Sequence, residues 1–189
     1  MPLSKTRTAT KRLAAIDIGT NSFHLIVAEV DPRTGRFRIL DREKEIVRLG
    51  SGSTDMKYLA DAAMNRGVQT LTRFRRIAQS RDAPIRAIAT SAVREAVNQD
   101  AFLRRVRTET SIKVEIASGT EEARLIHLGV LQSLPLYDRR ILLIDIGGGS
   151  TEFLVGRRRH IAFSNSLKLG AVRLTQRFFR SGRTEKRAI

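Results

Sequence analysis

The chain has 189 residues, with 35 Lys plus Arg against 19 Asp plus Glu, a formal net charge of +16, no Cys, no Trp and 5% aromatic residues. Without cysteine, disulfide scaffolds, thiolate zinc sites and cysteine nucleophiles are excluded, and no apolar run approaches the roughly 18 residues that a membrane-spanning helix needs. The N-terminal MPLSKTRTATKR has no apolar core of a secretory signal, so a cytoplasmic location is the default expectation. About half of the positive excess sits in the two ends, in Lys5, Arg7, Lys11 and Arg12 and in Arg177, Arg180, Arg183, Lys186 and Arg187. Such ends are read as solubilising tails rather than binding arms.

In chain order, LAAIDI stops at Gly19 and FHLIVAEV resumes after Ser22, which reads as strand, tight turn, strand. A turn at Asp31-Pro32-Arg33-Thr34-Gly35 leads into RFRILDREKEIVRL, a partly alternating strand that completes a three-stranded meander. After a loop at Gly50-Ser51-Gly52-Ser53, apolar residues at near-helical spacing predict one amphipathic helix over 58–79. A strand at 85–89, helical stretches through 92–108 and a strand at 112–117 follow. The Ser118-Gly119-Thr120 turn then opens a helix running to Leu134, capped by Ser118 or Thr120. This order describes a mixed α/β fold.

An internal repeat is the most informative feature. Ile16-Asp17-Ile18-Gly19-Thr20-Asn21-Ser22 returns 128 residues later as Ile144-Asp145-Ile146-Gly147-Gly148-Gly149-Ser150, each time between two apolar strands. A duplicated fold follows as the expectation, with a basic tail over 1–12, a first domain over 13–125 and the start of a second domain over 126–189. That second copy has room for only part of a domain, and the apolar surface it leaves open could be covered by formation of a homodimer.

Glycines at a hairpin tip let backbone N–H groups approach an anion and form a concave nest. Ser22, Ser150 and Thr151 add hydroxyl donors, and the Asp that ends each first strand can hold a magnesium ion through water beside a phosphate. A strand-ending Asp before glycines is also a common way to start a turn. Two copies, one on each side of a cleft, favour a phosphate and magnesium grip.

Glu121 and Glu122 occupy the first turn of the helix after Ser118, where the helix dipole favours acids for structural reasons. A carboxylate there could also act as the base for water attacking phosphorus, and periodicity does not decide which of the two faces inward. Arg94, at a hydroxyl-rich helix start, suits clamping phosphate oxygens but equally a surface position, and Arg48 shares that ambiguity. His24, His127 and His160 have no ligand spacing and read as structural or exposed. Arg157-Arg158-Arg159 reads as a solvated hairpin turn, with a polyanion track as the lesser alternative.

Five motifs in order, AIDIGTNSFHL, TSAVREAVN, ASGTEEARLIHLGV, LLIDIGGGSTEFLVG and LKLGAVRLTQRFF, resemble those of the exopolyphosphatase and guanosine pentaphosphate phosphohydrolase family over nearly all of Leu13 to Phe179. The resemblance implies a ribonuclease-H-like fold of the actin-like ATPase superfamily, two such domains facing across a cleft. It also implies hydrolysis of a terminal phosphoanhydride of inorganic polyphosphate or of guanosine pentaphosphate with Mg2+. Carried onto this sequence, it makes Gly19, Thr20, Asn21 and Ser22 and the facing Gly147, Gly148, Gly149, Ser150 and Thr151 the phosphate-binding turns. Asp145 and Glu152, with Asp17, would organise the metal; Glu122 would be the catalytic base and Arg94 the phosphate clamp. Family members continue well past LGAVRLTQRFF.

Two other functions compete with the hydrolase. A noncatalytic polyanion or nucleic-acid binding module is motivated by the charge of +16, and an ATP-using member of the actin-like superfamily by the hairpins. Acidic residues beside the proposed anion grips argue against a pure polyanion binder, and few aromatics argue against stacking on single-stranded nucleic acid.

Overall fold

A computed structural model describes residues 10–52 and 56–179 of the chain. The basic stretches expected as tails at 1–9 and 180–189, and Ser53 of the expected loop, lie outside the described residues.

The first sheet begins with a meander of β1 (Lys11–Ile18), β2 (Ser22–Val30) and β3 (Phe37–Ile46). β1 runs to Ile18 in register with β2 as far as the Lys11↔Val30 pair. Lys11 and Arg12, expected in the tail, are therefore strand, and Arg12 donates from Nη1 to the Arg81 carbonyl at 3.0 Å. After α1 (Asp61–Ser80), β4 (Ile85–Ala89) pairs with β1 in parallel. α2 (Ser91–Glu95) and α3 (Gln99–Thr110) then lead to β5 (Val114–Ile116), parallel to β4. The strand order is β3-β2-β1-β4-β5.

Alternation decides which face is covered. Ala14, Ile16 and Ile18 point into a core built with Phe23, Leu25 and Val27 of β2, Val68, Leu71 and Phe74 of α1, and Phe102 and Val106 of α3. Asp17 points to the other face.

Two helix boundaries differ from the sequence pattern for one reason. Asn98 donates from Nδ2 to the Leu59 carbonyl and accepts from Leu59 N at Oδ1, both at 2.9 Å, while Val97 N donates to the Lys57 carbonyl. These bonds hold residues 57–59 outside the helix, so α1 starts at Asp61 rather than 58. They also interrupt the predicted helical stretch over 92–108, splitting it into α2 and α3.

The second sheet follows α4 (Gly119–Ser133) and consists of β6 (Arg140–Ile146), β7 (Thr151–Arg157) and β8 (His160–Leu167), all antiparallel; α5 (Ala171–Phe178) comes after it. The domain boundary expected between residues 125 and 126 falls inside α4. Ala123 and His127 are buried on that helix, which packs on β7 and β8, so α4 belongs with the second sheet.

Candidate active site

The repeat is real at the level of hydrogen bonds. Gly19 N donates to the Ser22 carbonyl at 3.2 Å, and Gly147 N donates to the Ser150 carbonyl at 2.9 Å, closing the same turn in both hairpins. Cross-strand pairing then sets Asp17 opposite His24 and Asp145 opposite Glu152.

At both tips the carbonyl oxygens are bonded away from the turn. Thr20 O accepts from Gly50 N at 2.9 Å and Asn21 O from Arg48 N at 2.7 Å; Gly148 O accepts from Val172 N at 2.8 Å and Gly149 O from Arg173 Nε at 2.8 Å. With the acceptors engaged elsewhere, the tips present donors, which is the requirement for an anion nest.

The two tips touch. Thr20 is buried against the second hairpin, and a Cβ on Gly149 would lie 2.8 Å from Thr20 Oγ1 and 2.7 Å from Met56 Cε, so glycine is required for this approach. One cavity of about 560 Å³ beside the tips has Asn21, Ser22, Arg48, Gly147 and Gly148 in its wall. Another, of about 520 Å³, has Arg94, Gly119, Ser150 and Lys168.

The carboxylates from both halves converge on this junction. Asp17 keeps exposed surface, yet the surrounding cleft desolvates it enough to raise its pKa; His24 opposes the rise and the facing Asp145 adds to it. Desolvation pushes the Glu122 carboxyl up to about 7 against the hydrogen bond from Arg94, with repulsion from Glu152 and Asp17 contributing. Glu152 is fully buried: its Oε1 accepts from Ser166 Oγ at 2.7 Å, and its Oε2 has no hydrogen-bond partner among the described residues.

Glu121 and Glu122 separate cleanly. Ser118 Oγ caps α4 by accepting from Glu121 N at 3.1 Å. One residue on, Glu122 turns toward the cleft, where its Oε2 accepts from Arg94 Nη1 at 2.8 Å; the same nitrogen donates to the Ala117 carbonyl at 2.9 Å. Glu121 instead faces outward, held by two hydrogen bonds from Arg124 that keep its pKa low.

The hydroxyls expected to meet phosphate do not behave alike. Ser150 Oγ is buried without a hydrogen-bond partner among the described residues and lines the Arg94 cavity. Ser22 Oγ lies 2.9 Å from His24 Nε2, which brings that histidine beside the site. Thr20 is packed between the tips, and Thr151 Oγ1 is committed to the Leu169 carbonyl.

A polar cluster that sequence patterns do not reveal ties the halves together. Glu95 of α2 receives Arg173 of α5 at 2.8 Å, Lys168 at 3.1 Å and Ser91 Oγ at 3.1 Å. Arg173 is buried and also holds the Gly149 carbonyl. Its partners lie tens of residues away in the chain; the one signal in the sequence is an arginine among the apolar residues of a short helix.

The family model of the Ppx/GppA phosphatase family matches residues 25–189. A bifunctional 3-dehydroquinate synthase/phosphatase of Fusobacterium nucleatum is 39% identical over 176 residues, which are 88% of this chain and 26% of that protein. The crystal structure of an exopolyphosphatase from Cytophaga hutchinsonii superposes with a TM-score of 0.84 at 38% identity, covering 89% of this chain and 54% of that one. The Aquifex aeolicus PPX-GPPA enzyme gives a TM-score of 0.77 at 31% identity, over 89% and 56%. The chain thus spans about half the length of the solved relatives, and it shares their mixed α/β fold. Matched over most of its length in sequence and superposed on solved members, the chain belongs to the Ppx/GppA phosphatase family.

Proposed function

We propose that this chain carries the catalytic centre of a phosphoanhydride hydrolase, releasing the terminal phosphate of inorganic polyphosphate or guanosine pentaphosphate with Mg2+. The observation that carries the reading is the convergence of two donor-lined hairpin tips on a half-buried carboxyl whose pKa is raised to about 7. A general base is most effective with a pKa near the working pH.

The tip amides and the Ser150 hydroxyl would hold the terminal phosphate, since donors already in place cost no reorganisation as charge develops. Glu122 takes a proton from the attacking water at Oε2 or Oε1, and Arg94, 2.8 Å away, orients that carboxylate and is placed to reach a phosphate oxygen. Attack is in line with the leaving phosphate, and no covalent enzyme intermediate is needed.

The donor set fits magnesium. Asp145 and Glu152 are cross-strand neighbours, Asp17 faces Asp145, and the buried Glu152 Oε2 lacks a hydrogen bond among the described residues. No three Asp, Glu or His side chains form a metal cage among the described residues. Mg2+ suits that arrangement, because it takes one or two carboxylates and completes its shell with water and phosphate oxygens. When bound it would neutralise charge on the phosphates.

The test is phosphate release from polyphosphate and from guanosine pentaphosphate, with Mg2+ and with EDTA, by the wild type and Glu122→Gln. Release should require Mg2+ and fall by about 10²–10⁴-fold in the variant, with polyphosphate still bound. Equal release by Glu122→Gln removes the assigned base.

A further inference from the structure

We propose that Arg173 is a positioning residue for the reaction: anchored on Glu95, it holds the last carbonyl of the second glycine turn and so keeps the N–H groups of that turn aimed at the substrate phosphate. This deepens the hydrolase reading above and rests on it.

α5 takes up the carbonyls of the turn one after another. Ala171 N donates to the Gly147 carbonyl at 2.9 Å, Val172 N and Arg173 N to the Gly148 carbonyl at 2.8 and 3.1 Å, and Arg173 Nε to the Gly149 carbonyl at 2.8 Å. A trans peptide sets each C=O opposite the N–H of the next residue. The N–H groups of Gly148, Gly149 and Ser150 therefore point away from α5. The approach is close: a Cβ on Gly170 would run into the Gly148 carbonyl.

The repeat shows which of these bonds is exceptional. Gly148 and Gly149 correspond to Thr20 and Asn21, 128 residues earlier. In the first turn both carbonyls are held by main chain, from Gly50 N and Arg48 N. In the second, the Gly149 carbonyl is held by a side chain. That bond alone depends on which residue stands at its donor position.

Arginine suits the position because its guanidinium is a rigid fork of donors. Nε bonds Gly149 while Nη2 of the same group bonds Glu95 Oε1 at 2.8 Å. The Arg173 and Glu95 side chains are only 8% and 13% exposed, so solvent screens the pair little. Glu95 is fixed in turn by Ser91 Oγ and by Lys168, each at 3.1 Å. It also follows Arg94, whose Nη1 bonds Glu122 at 2.8 Å. α2 thus holds the proposed base through one residue and the second turn through the next, which sets the place of one relative to the other. Lysine at 173 would keep the charge but has no planar pair of donors to span both acceptors.

The experiment compares the wild type with Arg173→Lys, using tripolyphosphate with Mg2+ as the probe. Amide ¹H–¹⁵N spectra read the two turns separately, and steady-state phosphate release gives kcat and KM. Tripolyphosphate should shift the amide signals of both turns in the wild type. In the variant the shifts of Gly148, Gly149 and Ser150 should be largely lost, while those of Thr20, Asn21 and Ser22 persist. Its kcat should fall roughly 10²-fold, the scale of one misdirected donor, with KM little changed, as for an interaction made in the transition state. A purely structural role would lower Tm and leave the two turns responding alike; that result, an unchanged kcat, or a second turn that does not respond in the wild type overturns the proposal. Glu95→Gln keeps an acceptor for Nη2 without its charge, so it should show the same one-sided loss to a smaller extent, and it carries the comparison if Arg173→Lys does not fold. If the wild type releases no phosphate, the hydrolase reading fails, while the amide shifts still decide whether Arg173 aims the second turn.

Discussion

The two halves of the repeat share a hairpin but not its surroundings. Ala14, Ile16 and Ile18 of β1 are 0%, 2% and 0% exposed, whereas their counterparts 128 residues on, Leu142, Ile144 and Ile146 of β6, are 65%, 51% and 71% exposed. In the first half α1 and α3 share a core with that face; among the described residues no helix packs on its counterpart in the second half. Yet the Gly19 and Gly147 turns close with the same hydrogen bond. The geometry of the hairpin turn is thus local, set by glycines and one turn bond, while burial is a tertiary matter. The second hairpin is instead tied to the first half by its glycines packed on Thr20 and Met56 and by polar contacts that include Glu95–Arg173.

That dependence gives the largest expected effect. Glu95→Gln removes the charge that both Arg173 and Lys168 face in a part-buried cluster and should cost about 3–5 kcal/mol. A thermal melt followed by circular dichroism should show Tm lowered by on the order of 10 °C; an unshifted Tm would mean that the second half is held by something else.

Next in size is the contrast between the two faces. Ile16→Ala should lose about 2–5 kcal/mol, as expected for a packed core, and Ile144→Ala should stay within about 0.5 kcal/mol, as for a surface position. Urea denaturation of both variants measures the difference, and equal losses would show that the β6 face is covered in solution.

The third effect is electrostatic and is read from its pH dependence. With a folded pKa of about 7 against an ordinary 4.5, Glu122 keeps a proton that the unfolded chain has already lost between those values. Stability therefore falls as pH rises through that window and levels off above it. Glu122→Gln removes this titration, so its urea midpoint should exceed the wild type's at pH 8 and the gain should shrink toward pH 4.5. A gain independent of pH would contradict the burial of an ionisable group there.

Much of this was legible in the sequence because it is local. The hairpins, the repeat and the helix opened by Ser118 are short patterns of glycine, hydroxyl and alternating apolar residues, and each is present. Periodicity left Glu121 and Glu122 undecided, because both fall in one helical turn; what separates them is Arg94, 28 residues earlier, on one side and Arg124 on the other. Long-range contacts were hidden for the same reason. The Asn98 clasp on Leu59 shortened one helix and split another. The packing of α4 on β7 and β8 is one such contact, and the wedging of Thr20 between the tips is another. The Glu95, Lys168 and Arg173 cluster joins segments whose spacing in the chain carries no signal.

The account stands on the two aspartates sharing one site, and a carboxylate titration by NMR on ¹³C-aspartate-labelled chain measures it directly. Asp145 contributes to the raised pKa of Asp17, so in Asp145→Asn the Asp17 midpoint should fall below its wild-type value. An Asp17 midpoint identical in the two proteins would mean that the hairpins do not face each other, and the shared phosphate site would be lost with them.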